Sequence, residues 1–356
     1  MTSVDNSLVT LNGRLNINKF IQVNLSPLRL RGEPFPHLYK QEDDLLSVRS
    51  NCWVALAFFV LSEWLLAKGK RLEGLVFGGR AIFILRDLID LLAPHLERKL
   101  TFLKQEGRPN IFETWKCLHQ KYHLDGQEVV EYSWPWLQED IYFIGFLIGK
   151  LYQSGREVVK TGEQARFLQN IVDYAQVLGY GPDFGSWEEK CFDLRASSVA
   201  SKIASLERLR VLPWIKISDN FIREGADLFW SLFPYEISNE NCSREVDLAQ
   251  IISIYPLELV RREKAKELIE RVESNLERNE GLARFPNDKF VCPSGWALLS
   301  AQLTKLGDIG TATSYFEEAL EHLNLEGKVE SKGFSLPHAV ALFIIAACLT
   351  ERVYLF

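Results

Sequence analysis

The segment "SWEE" at 186–189 sets two carboxylates, Glu188 and Glu189, directly after Trp187 and just ahead of an amphipathic run. A carboxylic acid walled by an aromatic ring keeps its proton more readily, as a general acid for glycosidic cleavage must. Inverting cleavage also needs a second carboxylate across the bond, roughly 6.5–9.5 Å away, to activate water. Neighbouring side chains diverge, so Glu188 and Glu189 cannot be that pair. One would protonate the leaving oxygen and the other would bind a sugar hydroxyl. The same letters also read as a polar approach to a helix, and spacing alone favours that plainer reading. "EYSWPWLQED" at 131–140 offers Trp134 or Trp136 as a stacking platform and Asp140 as a hydroxyl acceptor. It reads equally as core aromatics followed by first-turn acids that suit the helix dipole. "GLARFPNDKF" places Arg284 and Asp288 in one loop, able to hold sugar hydroxyls by charge-assisted bonds or to pair with each other. Arg49, in "VRSN", fronts an apolar helix; a buried Arg needs partners, either structural or as a ligand clamp.

Other chemistries find little support. His119 and His123 in "LHQKYH" have i,i+4 spacing, but no third ligand pattern accompanies them, so no metal site is expected. No phosphate-cradling glycine loop and no nucleophile elbow occurs, and no cofactor is expected. The net charge of −6 lies along the chain without basic blocks, which argues against nucleic acid and against an anionic membrane surface. The six Cys are scattered without zinc or disulfide-framework spacing, so reduced thiols and a cytoplasmic setting are the expectation. The opening "MTSVDNSLVT" has no basic, apolar pattern of a secretory signal.

The elements that must position these groups are helices. Apolar stripes of helical period run over 43–68, 72–98, 136–154, 162–178, 196–210, 216–232, 257–277, 294–306, 309–323 and 337–353. Ser197 or Ser198 is the expected N-cap of the helix near 196. Strand signal is weak, confined to "KFIQVNL" at 19–25 and "VVEYSW" at 129–134. The runs "VALAFFVLSEWLLA" and "IYFIGFLIGKLY" fall short of the roughly 18–20 clean apolar residues of a membrane span and read as buried helices. Long loops rich in aromatics and acids alternate with short polar ones, and long loops between helices usually carry function. If helical hairpins close into a toroid, the informative loops gather at one mouth. With 356 residues the chain is long enough for one large repetitive domain or for two smaller ones.

Taken in order, "VRSN", "LHQKYHLDG", "WPWLQED", "PDFGSWEE", "LRASSVAS", "GLARFPNDKF" and "SLPHAVALF" resemble the glucoamylase-like catalytic domain of glycoside hydrolase family 15. Within that group they are most similar to the alpha and beta subunits of phosphorylase kinase. The resemblance covers about residues 20–350. It implies an all-α fold, an (α/α)6 barrel with minor short strands in its loops, forming one domain over 1–356 with its sugar site at one mouth. By position, Glu188 resembles the family's general acid and Glu189 its sugar-binding neighbour. Trp134 resembles the stacking Trp and Asp140 the acid six places on. Arg284, Asp288 and Trp296 resemble the later substrate loop, and Arg49 the Arg of an Arg-Asp pair.

Two departures bear on activity. The family's Asp after that Arg, which bonds the terminal glucose, is here Ser50, a neutral and weaker partner. The loop that holds the family's general base is the short "NLEGKVESKGFSLPH", where Glu326 and Glu330 are the candidates, neither in the family's acidic context. One carboxylate without its partner does not give inverting hydrolysis. Three readings stand. The first is an oligosaccharide- or α-glucan-binding barrel with weakened or lost hydrolysis, with a protein partner of glycogen metabolism in view. The second is an active inverting hydrolase using Glu188 with Glu326 or Glu330. The third is a helical scaffold without a sugar ligand.

Overall fold

The structure is a computed structural model and describes residues 14–31, 34–41, 43–109, 111–129, 138–187, 193–237, 244–323, 329, 334–351 and 353–354. Its helices are α1 (Ile17–Asn24), α2 (Val48–Ala67), α3 (Arg71–Glu106), α4 (Gln138–Gln153), α5 (Gly162–Leu178) and α6 (Ala196–Leu209), followed by α7 (Asp219–Leu232), α8 (Arg262–Leu276), α9 (Pro293–Leu306), α10 (Ile309–Glu321) and α11 (Leu336–Leu349). A 3-10 segment, Leu248–Ser253, lies between α7 and α8.

These elements form two rings. α2, α4 and α6 pack in succession, α11 packs on α2, and α9 packs on α11. The 3-10 segment touches both α6 and α9 and closes the inner ring where a sixth helix would stand. Outside lie α1 against α11, α3 against α2, α5 against α3 and α4, α7 against α6, α8 against the 3-10 segment and α9, and α10 against α9. Six outer and six inner elements alternate along the chain, which is the (α/α)6 toroid. Strand β1 (Leu15–Asn16) runs parallel to β7 (Val353–Tyr354), so the two ends of the described chain meet.

The sequence pattern explains which helices are inside. α11 is buried from Pro337 to Cys348 without interruption, and α2 is buried on nearly all sides. A helix apolar all round needs neighbours all round. The outer helices carry a single stripe instead: α10 buries Ala312, Phe316, Ala319 and Leu320, and α7 buries Ile222, Gly225, Phe229 and Leu232. α2 is long and apolar enough to cross a membrane by length and composition, but most of it is buried inside the ring, as a core helix is. Cys52, Cys117, Cys292 and Cys348 are buried free thiols.

Some sequence expectations need correction. Residues 19–25 are not a strand: α1 covers Ile17–Asn24 and buries Ile17, Phe20, Ile21 and Asn24, a helical spacing that the short apolar run concealed. "VVEYSW" lies outside the described residues beyond Val129, which is not in a strand. The first long helix starts at Val48, because Leu46–Ser47 (β2) pairs antiparallel with Lys121–Tyr122 (β3). α3 continues through Pro94 to Glu106 rather than ending near 98. Neither Ser197 nor Ser198 caps α6; Arg195 holds that position, because both serines are engaged by acids described below. The remaining strands, β4 (Glu277–Arg278), β5 (Gly281–Ala283) and β6 (Val291–Cys292), form one antiparallel sheet before α9.

Candidate functional site

The N-terminal ends of all six inner elements meet at one end of the toroid. Arg49 in the first turn of α2 donates from Nε to Asp140 Oδ1 in the first turn of α4 at 2.8 Å. Arg49 also donates to the Ser186 carbonyl, ahead of α6. Ser50 meets Ser335, the N-cap of α11, with hydroxyls 2.6 Å apart. Trp187 donates its indole N–H to Asp247 Oδ1 at 2.7 Å, and Asp247 caps the 3-10 segment. The Leu248 N–H donates to the Arg284 carbonyl at 2.9 Å, tying in the strand region before α9. This is the mouth that the alternating loops imply.

The loop carrying Ser186 and Trp187 is braced from below. Asp183 and Asp193 exchange backbone hydrogen bonds at 3.0 and 3.1 Å, pinching the loop at its base. The buried Asp183 carboxylate accepts from the Gly185 N–H at 3.1 Å and from the Ser198 hydroxyl of α6 at 2.8 Å. Gly185 has φ +67°, and a Cβ there would stand 2.4 Å from the Arg195 side chain, so only glycine suits the turn. Ser197 donates its N–H to Glu236 at 3.0 Å and its hydroxyl to the same carboxylate. Burial, with the nearby Asp247 charge added, pushes Glu236 well above its ordinary range. Burial also raises Asp247, against the pull of Arg244, the Trp187 N–H and the Ala249 N–H.

Under the mouth lies a cavity of about 520 Å³, counted with its open side. Its polar groups are few: Arg49, Asp140, Ser186 and Ser201, with the Trp187 indole and His338 beside them. The rest of its lining is apolar, including Trp53, Phe143, Ile252, Leu257 and Leu298. Its clear interior is small, on the scale of a few water molecules. Rings continue the wall: Trp187 to Phe334 at 5.5 Å, Phe334 to His338 at 4.5 Å, His338 to Trp53 at 4.9 Å and Trp53 to Phe143 at 5.2 Å. Burial, then the Arg49 charge, pushes His338 well below its ordinary range, so it packs as a neutral ring.

Arg284 stands at the rim, its guanidinium 5.6 Å from the Trp187 ring centre and 4.8 Å from that of Phe290. It grips Asp288 through both carboxylate oxygens. Burial pushes the Asp288 carboxyl up, but Arg284 and the Phe290 N–H outweigh it and hold the group below the usual range. The pair expected in this loop is therefore formed within the loop, with Arg284 against the indole.

Arg49, Asp140, Trp187, Arg284 and Asp288 are thus brought together, directly or through one another. Trp296 is not brought to this mouth. It lies on the other side of α9, lining an outer groove with Glu273, Glu277 and Tyr315. Two residues along a helix turn the chain by about 200°, so Leu298 faces the cavity and Trp296 faces away. Ser50 is also turned off the cavity, bonded to Ser335 and to the Gln41 amide at 3.3 Å. Trp134, Glu188, Glu189, Glu326 and Glu330 lie outside the described residues. His119 and His123 flank strand β3 rather than sharing a helix face, and among the described residues no group of three potential ligands gathers for a metal.

Sequence reasoning missed Asp247, Glu236, Asp183, Trp53 and Phe334. Only Asp247 had a local signal: with Gln250 three places on, it forms a capping box. The partners of the others come from distant elements.

No family model matches the chain. It is 24% identical over 269 residues, 68% of its length, to a probable phosphorylase b kinase regulatory subunit alpha of Caenorhabditis elegans, of which it spans 21%. It is 26% identical over 202 residues to the skeletal-muscle alpha subunit of Oryctolagus cuniculus, spanning 16% of that protein. Among solved structures, a glycosidase variant in complex with glucose superposes with a TM-score of 0.75 at 14% identity, over 95% of this chain and 96% of that one. A glucoamylase from Saccharomycopsis fibuligera superposes with a TM-score of 0.66 at 12% identity, over 95% and 93%. The chain is a glucoamylase-like (α/α)6 barrel, similar in sequence to the regulatory subunits of phosphorylase kinase.

Proposed function

We propose that the mouth binds the end of an α-glucan or oligosaccharide, and that hydrolysis is weakened or lost. One observation carries this reading: Arg49–Asp140, Trp187 and Arg284–Asp288, from two helix starts and two loops, converge on one rim. Aromatic faces with fixed charged hydrogen-bonding groups are what a pyranose requires. A structural neighbour in complex with glucose supports the same class of ligand. Loss of turnover is supported by the narrow apolar interior and by Ser50, whose hydroxyl is already engaged by Ser335. A terminal sugar then rests on the rim rather than sinking to the position where cleavage would occur.

Trp134 and Glu189 complete the proposed contacts, with Glu188 as the general acid if cleavage persists and Glu326 or Glu330 as its base. The chain acts as one domain over 1–356, in the cytoplasm, beside a protein of glycogen metabolism. Nucleic acid and membrane are not partners in this reading.

The test is release of reducing sugar from maltooligosaccharides at high protein concentration, alongside binding by the same protein. The proposal expects measurable binding with little or no release. Release that Glu188→Gln abolishes while binding persists would establish the hydrolase instead. Absence of both would leave the scaffold.

A further inference from the structure

The loop that carries Ser186 and Trp187 to the mouth leaves α5 at Gly179, the residue that ends that helix. Its first residues meet one side chain of α6, Lys202, which is only 2% exposed. The Lys202 Nζ donates to the Gly179 carbonyl. It lies 5.2 Å from the Tyr180 ring centre and 4.9 Å from that of Tyr142 on α4. The Asp183 carboxylate, farther along the loop, attracts the same ammonium. Tyr180 is itself fixed by α7, stacked on Phe221 at 4.7 Å and donating its hydroxyl to the Phe221 carbonyl at 2.9 Å. Lys202 thus holds Gly179, Tyr180 and Asp183, three residues of one loop, against the inner ring.

All three attractions depend on the charge. A charged donor makes a hydrogen bond roughly twice as strong as a neutral one. A neutral amine has neither the pull toward a carboxylate nor the contact of a cation with a ring face. Burial brings the Lys202 ammonium down to about 7, against the pull of Asp183 and with the push of Arg108. The thiol and phenols around it do not change charge near neutrality. Burial pushes the Cys117 thiol up to about 12 and holds the phenols of Tyr142, Tyr174 and Tyr180 above their ordinary range. Arg108 stays a cation throughout.

We propose that Lys202 is the positioning residue of the mouth loop, and that loss of its charge loosens Trp187 and so weakens the sugar platform. The effect on sugar rests on the reading of the mouth given above; the hold on the loop does not. The fold as a whole responds in the opposite sense. The unfolded chain keeps this proton up to 10.5 and the native chain only to about 7, so between those values the native state gains stability as pH rises. A lysine that merely supported the fold would make mouth and fold move together. Here the mouth slackens over the range in which the fold becomes more stable.

Fluorine NMR of the full chain, labelled with a fluorinated tryptophan at position 187 and followed from about pH 6 to about pH 9, tests this. The wild-type resonance is expected to titrate with a midpoint near 7. Lys202→Met fills similar space without the buried charge, and its resonance should stay at the wild type's high-pH position throughout. Its melting temperature at the low-pH end should equal or exceed the wild type's, and the excess should shrink as pH rises. Over the same span, wild-type affinity for maltooligosaccharides by calorimetry should fall about fivefold, the difference between a charged and a neutral hydrogen bond, and stay flat in the variant. A Trp187 resonance that does not titrate in the wild type, or that titrates alike in Lys202→Met, overturns the proposal. So does a titrating resonance with sugar bound equally tightly at both ends of the range. If the resonance titrates as expected but no α-glucan binds at any pH, the positioning role stands and the sugar reading fails.

Discussion

Replacing Asp247 should unfasten the mouth from the fold, and the cost can be worked from its contacts. Its carboxylate is buried and accepts three hydrogen bonds: from Trp187 Nε1 at 2.7 Å, from the Ala249 N–H at 2.7 Å and from Arg244 Nη1 at 2.9 Å. Hydrogen bonds to a charged acceptor contribute about 1.5–3 kcal/mol each, and bonds that share one group do not add in full. Asp247→Ala takes the acceptor from an indole N–H and a backbone N–H and removes the carboxylate that faces Arg244. Loss of one partner from a buried charged network typically costs about 3–5 kcal/mol, and that is the expected fall in unfolding free energy. Asp247→Asn keeps an acceptor for Trp187 and Ala249 but turns an amide N–H toward Arg244, so about 1–2 kcal/mol is expected. Urea unfolding followed by far-UV circular dichroism reads both, and a fluorinated tryptophan label at position 187 reports whether the indole is released. If Asp247→Ala costs under about 1 kcal/mol and leaves the Trp187 resonance in place, the bracing described here is wrong.

Three further outcomes follow from the same contacts. Burial holds His119 at about 4, below its ordinary 6.5, so the stability it contributes is complete above pH 6.5 and is lost as pH falls toward 4. His119→Gln should flatten that limb by up to about 3 kcal/mol, and an unchanged acid limb would show that another group governs it. Glu236 is shifted upward, so its contribution is complete below 4.5 and declines as pH rises above it; Glu236→Gln should remove that decline, as seen in melting temperature against pH. A Cβ on Gly149 would stand 2.5 Å from the Arg208 carbonyl oxygen and force α4 away from α6. Gly149→Ala should therefore cost about 2–3 kcal/mol in thermal unfolding, and a neutral result would mean that the two helices are not so closely apposed.

The rings of the toroid were largely legible because helical period and burial are local properties of the sequence. α5, α9 and α10 match their apolar stripes within a few residues. The 3-10 segment was not legible: it does an inner helix's work in six residues, too few to show a period. The serines of α6 misled for the opposite reason. Ser197 has the local character of a cap, but Glu236, 39 residues away, claims both its N–H and its hydroxyl. At the mouth, sequence indicated Arg49 and Asp140, which stand in the first turns of helices, and Trp187, in the loop ahead of α6. It could not indicate that Ser50, one residue on, turns by about 100° away from the cavity. Nor could it show that Trp296 and Leu298 face opposite ways.

The most direct measurement is the affinity of maltooligosaccharides for the wild type and for Trp187→Ala, by titration calorimetry. If the rim is a sugar platform, the wild type gives a saturable signal. Loss of the indole then weakens it by about 1–3 kcal/mol, by analogy with nucleic-acid bases stacked on aromatic side chains. No binding of any α-glucan by a folded wild-type chain, or equal binding by Trp187→Ala, would contradict the account.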